Sequence, residues 1–345
     1  KCTLLSTKFS KVERRALNYL FLPFGIGGMA IATRFPELRD QLDINNGTFG
    51  TILSLGGIGS LLGFILVGNW VHSYGVKPIV TFGSTGLFAS LALFPHMHNA
   101  NYFLLLNIFA SFCWTSFHIA NNAQAIHRQE EVGELILPKL HGLWSLGALV
   151  TSLVAIVITP FVTLCWHIGV TVFVMWLFTM YGIVKSTPFF IDKNEEADAF
   201  PSFSIKEIAK TFHFQPVIIL AMVLAMQVEF SIQDWSAIYA KDTLKMSASA
   251  SIWGYAVFIG AMIIVRFNAK RLSAIWSERQ LISKLPILGG VGFGVCILLG
   301  TWLSHTNQIL GFIVSLVGFA LAGFGSSILA PTLFGISFRN SSLPS

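Results

Sequence analysis

Charge is what this sequence has least of. Only 11% of its 345 residues are Asp, Glu, Lys or Arg, against roughly a quarter in a soluble domain. So few charges cannot cover a water-facing surface of ordinary size, and a soluble globular chain is excluded. Cysteine is scarce too. Cys2, Cys113, Cys165 and Cys296 show no C-x-x-C spacing, and three of them fall inside apolar runs. A disulfide framework is therefore excluded, and the cysteines read as small buried hydrophobes. There is no zinc signature, no G-x-x-x-x-G-K-[ST] phosphate loop and no plausible nucleophile–base arrangement. ATP-driven pumping, a resident cofactor and enzymatic chemistry are accordingly not expected. The GIGG at 25–28 lies inside an apolar run and is not a dinucleotide loop. No short leader with a small-residue cleavage site opens the chain, and its start at Lys1 reads as an incomplete N-terminus.

What is present is length and apolarity. The chain is 54% hydrophobic, and its apolar runs reach the roughly 20 residues needed to cross a bilayer. They fall at 16–33, 48–71, 78–95, 102–126, 138–159, 161–184, 216–239, 250–268, 285–303 and 309–334, ten spans in all. Prolines mark the divisions. Pro36 follows the first run, Pro78 opens the third, Pro160 separates the fifth from the sixth, and Pro286 sits near the start of the ninth. The runs are too long, and alternate too little, for a β-barrel. The 31 phenylalanines read as lipid-facing or packed side chains.

The 22 Lys and Arg residues are distributed unevenly about these spans. Four of them, Arg34, Arg39, Lys241 and Lys245, fall on one side, and the other eighteen fall on the side of the two termini. Positive charge stays cytoplasmic, so both ends are expected inside. The net charge of +6 is explained by this topology. With no basic stripe on a soluble face, a nucleic-acid partner is not expected. The partner this pattern implies is the lipid bilayer.

One connection is long and polar. Residues 185–214, KSTPFFIDKNEEADAFPSFSIKEIAKTFHF, divide the chain into a six-span bundle (1–184) and about four further spans (215–345). Residues 204–214 can form a short amphipathic helix at the membrane surface. Six helices, a cytoplasmic linker and more helices is a plan similar to the major facilitator fold. The halves echo each other faintly. Gly56, Gly57, Gly59 and Gly63 follow Asn45 and Asn46 in the second span, while Gly254 and Gly260 follow Ser247, Ser249 and Ser251 in the eighth. Ordinary small-residue helix packing explains this as well as a true repeat does.

GNWVHSYGVKP follows the second span. It resembles the superfamily loop G-x-x-x-D-R-x-G-x-R/K, with Gly68, Gly75 and Lys77 in place but His72 and Ser73 where an acid and a base are usual. Three longer segments resemble a bacterial fucose-permease-like branch that includes the YbjJ-type proteins. ATRFPELRDQLDINNGTFG is similar to its R-x-P-E-I-R stretch through Arg34, Pro36, Glu37, Arg39, Leu42 and Gly50. HIANNAQAIHRQEE, with the later LPKLHGLWSLGAL, matches through Ala120, Asn122, Gln124, His141, Trp144, Ser145 and Gly147. EFSIQDWSAIYAKDTL matches through Glu229, Asp234, Trp235, Ser236, Tyr239 and Asp242. His118 departs from the pattern, standing where an acid is usual. The branch has twelve spans, so on this resemblance the chain is C-terminally incomplete by two. The resemblance implies alternating-access transport of a small polar, sugar-like solute in a bacterial inner membrane, with the solute near mid-depth.

Each ionisable group at bilayer depth costs roughly 2.5–3.5 kcal/mol to insert, so such groups need a cavity or a partner. Glu229 and Asp234 lie in the seventh span, five residues or about 140° past one full turn apart. Both are candidate proton-coupling acids; for Asp234 the alternative is an ion pair with Arg34. His118, Asn121 and Asn122 occupy i, i+3 and i+4 of the fourth span, with Gln124 close behind. They are candidate solute ligands, or else hydrogen-bonding glue between helices. His127 and Arg128, further along, read as residues at the headgroup level. His141 and Trp144, together with Arg34, Gly68, Gly75, Lys77 and Trp235, are candidate gating or structural positions. Export of a metabolite or drug is one alternative function, and a transport-deficient membrane sensor or scaffold is another.

Overall fold

A computed structural model describes residues 10–133, 136–191, 216–329 and 333. Among these residues all regular structure is helical. Helix α1 (Lys11–Ala30) starts where the Ser10 hydroxyl accepts from Glu13 N at 3.1 Å, satisfying one of the donors that a helix start leaves open. It runs through a 3₁₀ turn (Ile31–Arg34) into α2 (Phe35–Gln41). The second span is interrupted at Gly56, giving α3 (Asn46–Leu55) and α4 (Gly57–Tyr74). The interruption is bridged from α6 (Ala100–Val132), where Asn107 Nδ2 donates to the Ile52 carbonyl at 2.9 Å. Gly75, at φ 78°, reverses the chain between α4 and α5 (Val76–Leu93). A side chain would strain that backbone, which is the reason for glycine there. Helices α7 (Leu137–Ile158) and α8 (Leu164–Ser186) complete the first six spans.

The remaining helices are α9 (Pro216–Asp242), α10 (Ala248–Ser251), α11 (Trp253–Phe267), α12 (Ala269–Ile275), α13 (Glu278–Ser304) and α14 (Gln308–Ser326). Ser277 and Gln280 cap α13 reciprocally, at 3.4 and 3.0 Å. Asn45 and Ser247 cap the starts of the second and eighth spans with their side chains. Both spans are then interrupted, at Gly56 and at Ile252. Among the described residues nine helical segments are long and apolar enough to cross a membrane. Helix α9, at 27 residues or about 40 Å, is a tenth of sufficient length. The expected surface helix at 204–214, with most of the linker, lies outside the described residues.

Two compact units divide the chain. The first holds residues up to 31, 37–151 and 161 to the end of α8; the second holds 32–36, 152–160 and everything from α9 onward. In the first unit, helices meet through glycine. A Cβ at Gly25 would strike the Trp144 carbonyl, one at Gly59 the Ile108 carbonyl, and one at Gly147 would lie 2.6 Å from the Leu22 carbonyl. These contacts bring α1 against α7 and α4 against α6 at backbone distance. In the second unit, Gly300 and Gly311 bring α13 and α14 equally close. There the Tyr239 hydroxyl of α9 joins both helices, 2.8 Å from Thr301 Oγ1 and 3.1 Å from Ser315 Oγ.

Candidate functional site

Helix α6 runs 33 residues, from the cap at Asn99 to Gly133. Its first half is apolar and aromatic; its second half carries His118, Asn121, Asn122 and Gln124. The i,i+4 spacing puts His118 and Asn122 together, with Asn122 Nδ2 3.2 Å from His118 Nε2. The α1–α7 approach at Gly25 brings their aromatic residues to the same place. The His118 and His141 rings are 5.8 Å apart and edge-on, and Phe21 meets His141 at 5.8 Å. Phe24 lies at the centre. Its ring is 4.5 Å from Trp114, 4.8 Å from Phe117, 6.3 Å from His118 and 6.5 Å from Trp144.

This aromatic and imidazole cluster contains polar atoms without partners. Asn121 is 1% exposed, yet neither Nδ2 nor Oδ1 makes a hydrogen bond among the described residues. The same is true of Asn122 Oδ1 and of Trp144 Nε1. A buried polar group left unpaired costs roughly 1–3 kcal/mol, and four such atoms lie on α6 and α7. Among the described residues Asn121 makes no interhelical hydrogen bond of the kind that glue between helices would need.

Gln124 behaves differently from the two asparagines with which the sequence groups it. Its Nε2 donates to the Phe189 carbonyl at 2.7 Å, and its Oε1 accepts from Ile191 N at 3.0 Å. Both ends of the amide are taken up by the chain leaving α8, so Gln124 is an anchor for that segment. Ile191 is further held by Val76 N, which donates to its carbonyl at 3.3 Å.

Sequence position alone puts Arg128 at the headgroup level and does not single out Glu13. Glu13, 2% exposed on α1, forms an ion pair with Arg128 on α6, with Nη2 to Oε2 at 3.1 Å. Arg128 also holds Glu131 at 2.5 Å. The pairing ties the start of α1 to the end of α6. Glu13 and Arg128 stand 115 positions apart, so local spacing carries no signal of it.

In the second unit Glu229 sits midway along α9. Arg266, in the last turn of α11, reaches it at 3.7 Å from Nη2 to Oε1. Arg266 Nε also donates to the Ser327 carbonyl at 3.0 Å. Charge counting along the chain groups Arg266 with the charges on the side of the termini; the structure gives it a half-buried carboxylate to face. Asp234 accepts from Gln233 Nε2 at 3.1 Å.

The remaining candidates are scattered. Arg34 is buried at the end of the 3₁₀ turn. Gly68 has open space about it, Lys77 is exposed beside the Gly75 turn, and Trp235 is half-buried on α9. Among the described residues no group of three or more His, Cys, Asp or Glu can hold a metal ion.

Comparison with known proteins agrees with this architecture. An uncharacterised MFS-type transporter of Yersinia pestis is 25% identical over 341 residues, covering 94% of this chain and 80% of its own. A point mutant of the solved nucleoside transporter NupG superposes with a TM-score of 0.67 at 12% identity, covering 96% of this chain and 84% of that one. The xylose transporter XylE from E. coli, in a partially occluded inward-open conformation, gives 0.65 at 13% identity, covering 95% and 85%. At these identities the structures establish the fold alone. The family model described as Major Facilitator Superfamily matches residues 17–343. The ordered helices and the match across almost the whole chain make this protein a multi-pass membrane transporter, not an enzyme, belonging to the Major Facilitator Superfamily.

Proposed function

We propose that this protein is a proton-linked secondary transporter of a small, polar, sugar-like solute, working by alternating access in a bacterial inner membrane with both ends cytoplasmic. The observation that carries the reading is the cluster on α1, α6 and α7. Asn121, Asn122 and Trp144 hold unpaired hydrogen-bonding atoms inside a helical bundle, beside His118 and His141. A hydrogen-bonding solute gives those atoms partners. Glu229 supplies a half-buried carboxylate facing a cation, Arg266. A proton on that carboxylate changes the charge of the pair, the elementary event needed to link solute and proton movement. Asp234 is the second acid on the same helix. The fucose-permease-like resemblance gives the lean toward sugars, and two structural neighbours named for nucleosides and xylose are in keeping with it.

Purified protein in proteoliposomes under an imposed pH gradient tests the reading with a broad panel of labelled monosaccharides, polyols and nucleosides. Gradient-dependent uptake or efflux of at least one member is expected, the direction separating import from metabolite or drug export. No gradient-dependent flux of any member would remove the transport reading. It would favour a sensor or scaffold, to which the His72–Ser73 replacement in the Gly68–Lys77 loop points.

A further inference from the structure

We infer that an anionic phospholipid occupies the groove between α11, α12 and α14, with an acyl chain along the groove and its phosphate at Arg271. The inference concerns the membrane-facing surface of the second unit and does not depend on which solute the protein moves.

Helical spacing builds the groove. Ala261, Ile264 and Asn268 stand at i, i+3 and i+7 on one face of α11, and Ala320 and Phe324 at i and i+4 on α14. Leu272 of α12 joins the lining. The space is about 410 Å³ and runs roughly 10 Å along α11. Asn268 is the one polar residue that lines it, and its Nδ2 donates to the Ile264 carbonyl of its own helix at 2.8 Å. The walls are therefore apolar and suit a hydrocarbon chain. A protein helix is at least 10 Å across, so a 10 Å length of one needs roughly 800 Å³ and does not fit.

Charge selects the headgroup. Helix α11 ends at Phe267, and α12 follows with the sequence AKRLSAI. Phe267, Arg271 and Ile275 are all exposed. Apolar and cationic side chains exposed together suit the boundary between headgroups and acyl chains. Arg271 directly precedes the lining residue Leu272, and Lys270 adjoins it in the sequence. Arg266, by contrast, is engaged by Glu229 and by the Ser327 carbonyl. The charge bias puts this end of α11 on the side of the termini, where anionic lipids are richest if that side is cytoplasmic. A zwitterionic lipid fills the same groove but gains less from Arg271, because its net charge is zero.

The test is tryptophan quenching in the full chain, reconstituted in phosphatidylcholine bilayers. The bilayers contain increasing fractions of either phosphatidylglycerol or phosphatidylcholine brominated on its acyl chains, and bromine quenches a nearby indole. Trp276 is the reporter, since it packs with Leu272 and Phe324 against the apolar cluster of Leu281, Leu285 and Ile328. The difference between wild type and Trp276→Phe isolates its signal. Brominated phosphatidylglycerol is expected to quench Trp276 half-maximally at about fivefold lower mole fraction than brominated phosphatidylcholine, the value of one basic residue near an anionic headgroup. Arg271→Gln should bring the two curves together. Ala320→Phe fills the groove and should lower quenching by both lipids. Monodisperse elution of each variant confirms folding, and Arg271→Gln, at an exposed position, keeps the test open if Ala320→Phe does not fold. Equal quenching by the two lipids in wild type would overturn the inference, as would an unchanged preference in Arg271→Gln. Absence of Trp276 quenching, or full quenching in folded Ala320→Phe, would show that no acyl chain occupies the groove and overturn it as well.

Discussion

Arg266 reaches back from the end of α11 to Glu229, midway along α9, with 3.7 Å between Nη2 and Oε1. That distance is an ion pair but not a hydrogen bond. Arg266 is held separately by the Ser327 carbonyl at 3.0 Å, so its position does not depend on Glu229. A proton can therefore join Glu229 without releasing the arginine. Glu229→Gln, fixed in the neutral form, is expected to abolish gradient-driven accumulation while sparing solute exchange, both read in proteoliposomes. Arg266→Met alone should lower thermal stability more than it does when combined with Glu229→Gln, because the single change leaves a carboxylate without its cation. The side chains are 29% and 23% exposed, so the coupling energy from the double-mutant cycle should be modest, on the order of 1 kcal/mol. Unchanged accumulation in Glu229→Gln would take Glu229 out of the coupling mechanism.

Gln124 separates an anchoring role from a ligand role. Gln124→Leu removes both hydrogen bonds to the chain after α8 and leaves Phe189 O and Ile191 N unpaired, at a cost of roughly 1–3 kcal/mol. Amide hydrogen exchange at Ile191 should speed up while that of the α6 backbone stays slow. Solute affinity should be unaffected. A fall in affinity with unchanged exchange at Ile191 would return Gln124 to the solute ligands.

Hydropathy makes the helices legible because bilayer thickness sets a minimum run length, and each of the ten expected spans corresponds to a helix. The pairing of His118 with Asn122 is legible from helical spacing alone. Three features are not. Arg266 reads as one more charge on the side of the termini because charge counting uses chain position, whereas its contact with Glu229 depends on how α11 crosses α9. Gln124 looks like its neighbours Asn121 and Asn122, yet a rotation of roughly 200–300° along α6 turns it toward the chain at 189–191. Glu13 sits among the basic residues of the first turn, and only folding brings it to Arg128. In each case the composition of the helix is visible and its rotation against its neighbours is not.

The proposed membrane orientation rests on the charge bias and can be read directly. Lys77 adjoins the α4–α5 turn at Gly75, and His98 lies in the connection between α5 and α6. Helix α5 separates the two. In a background whose native cysteines are replaced, Lys77→Cys should resist an impermeant maleimide added to intact cells, and His98→Cys should react. Labelling of both from the same side would contradict a membrane-spanning α5. The opposite pattern would invert the proposed topology and place both ends outside.

Close helix approach at glycine gives the sharpest stability contrast. Gly25 on α1 faces the backbone of Trp144 on α7, where an added Cβ would collide with the carbonyl. Backbone cannot swing aside as a flexible side chain can, so α1 and α7 must separate. Gly25→Val is expected to cost about 1–3 kcal/mol or more. It should also perturb the aromatic cluster, because Phe24 on α1 meets Trp144 on α7. Gly57 opens α4, and a methyl group added there would meet nothing within 4 Å. Gly57→Ala should be neutral or stabilising by up to about 1 kcal/mol, the helix preference of alanine over glycine. Thermal melts of the two variants in the same detergent measure the difference. Equal melting temperatures would mean that α1 and α7 are not in backbone contact at Gly25, and the cluster joining Phe24, His141 and Trp144 would lose its structural basis.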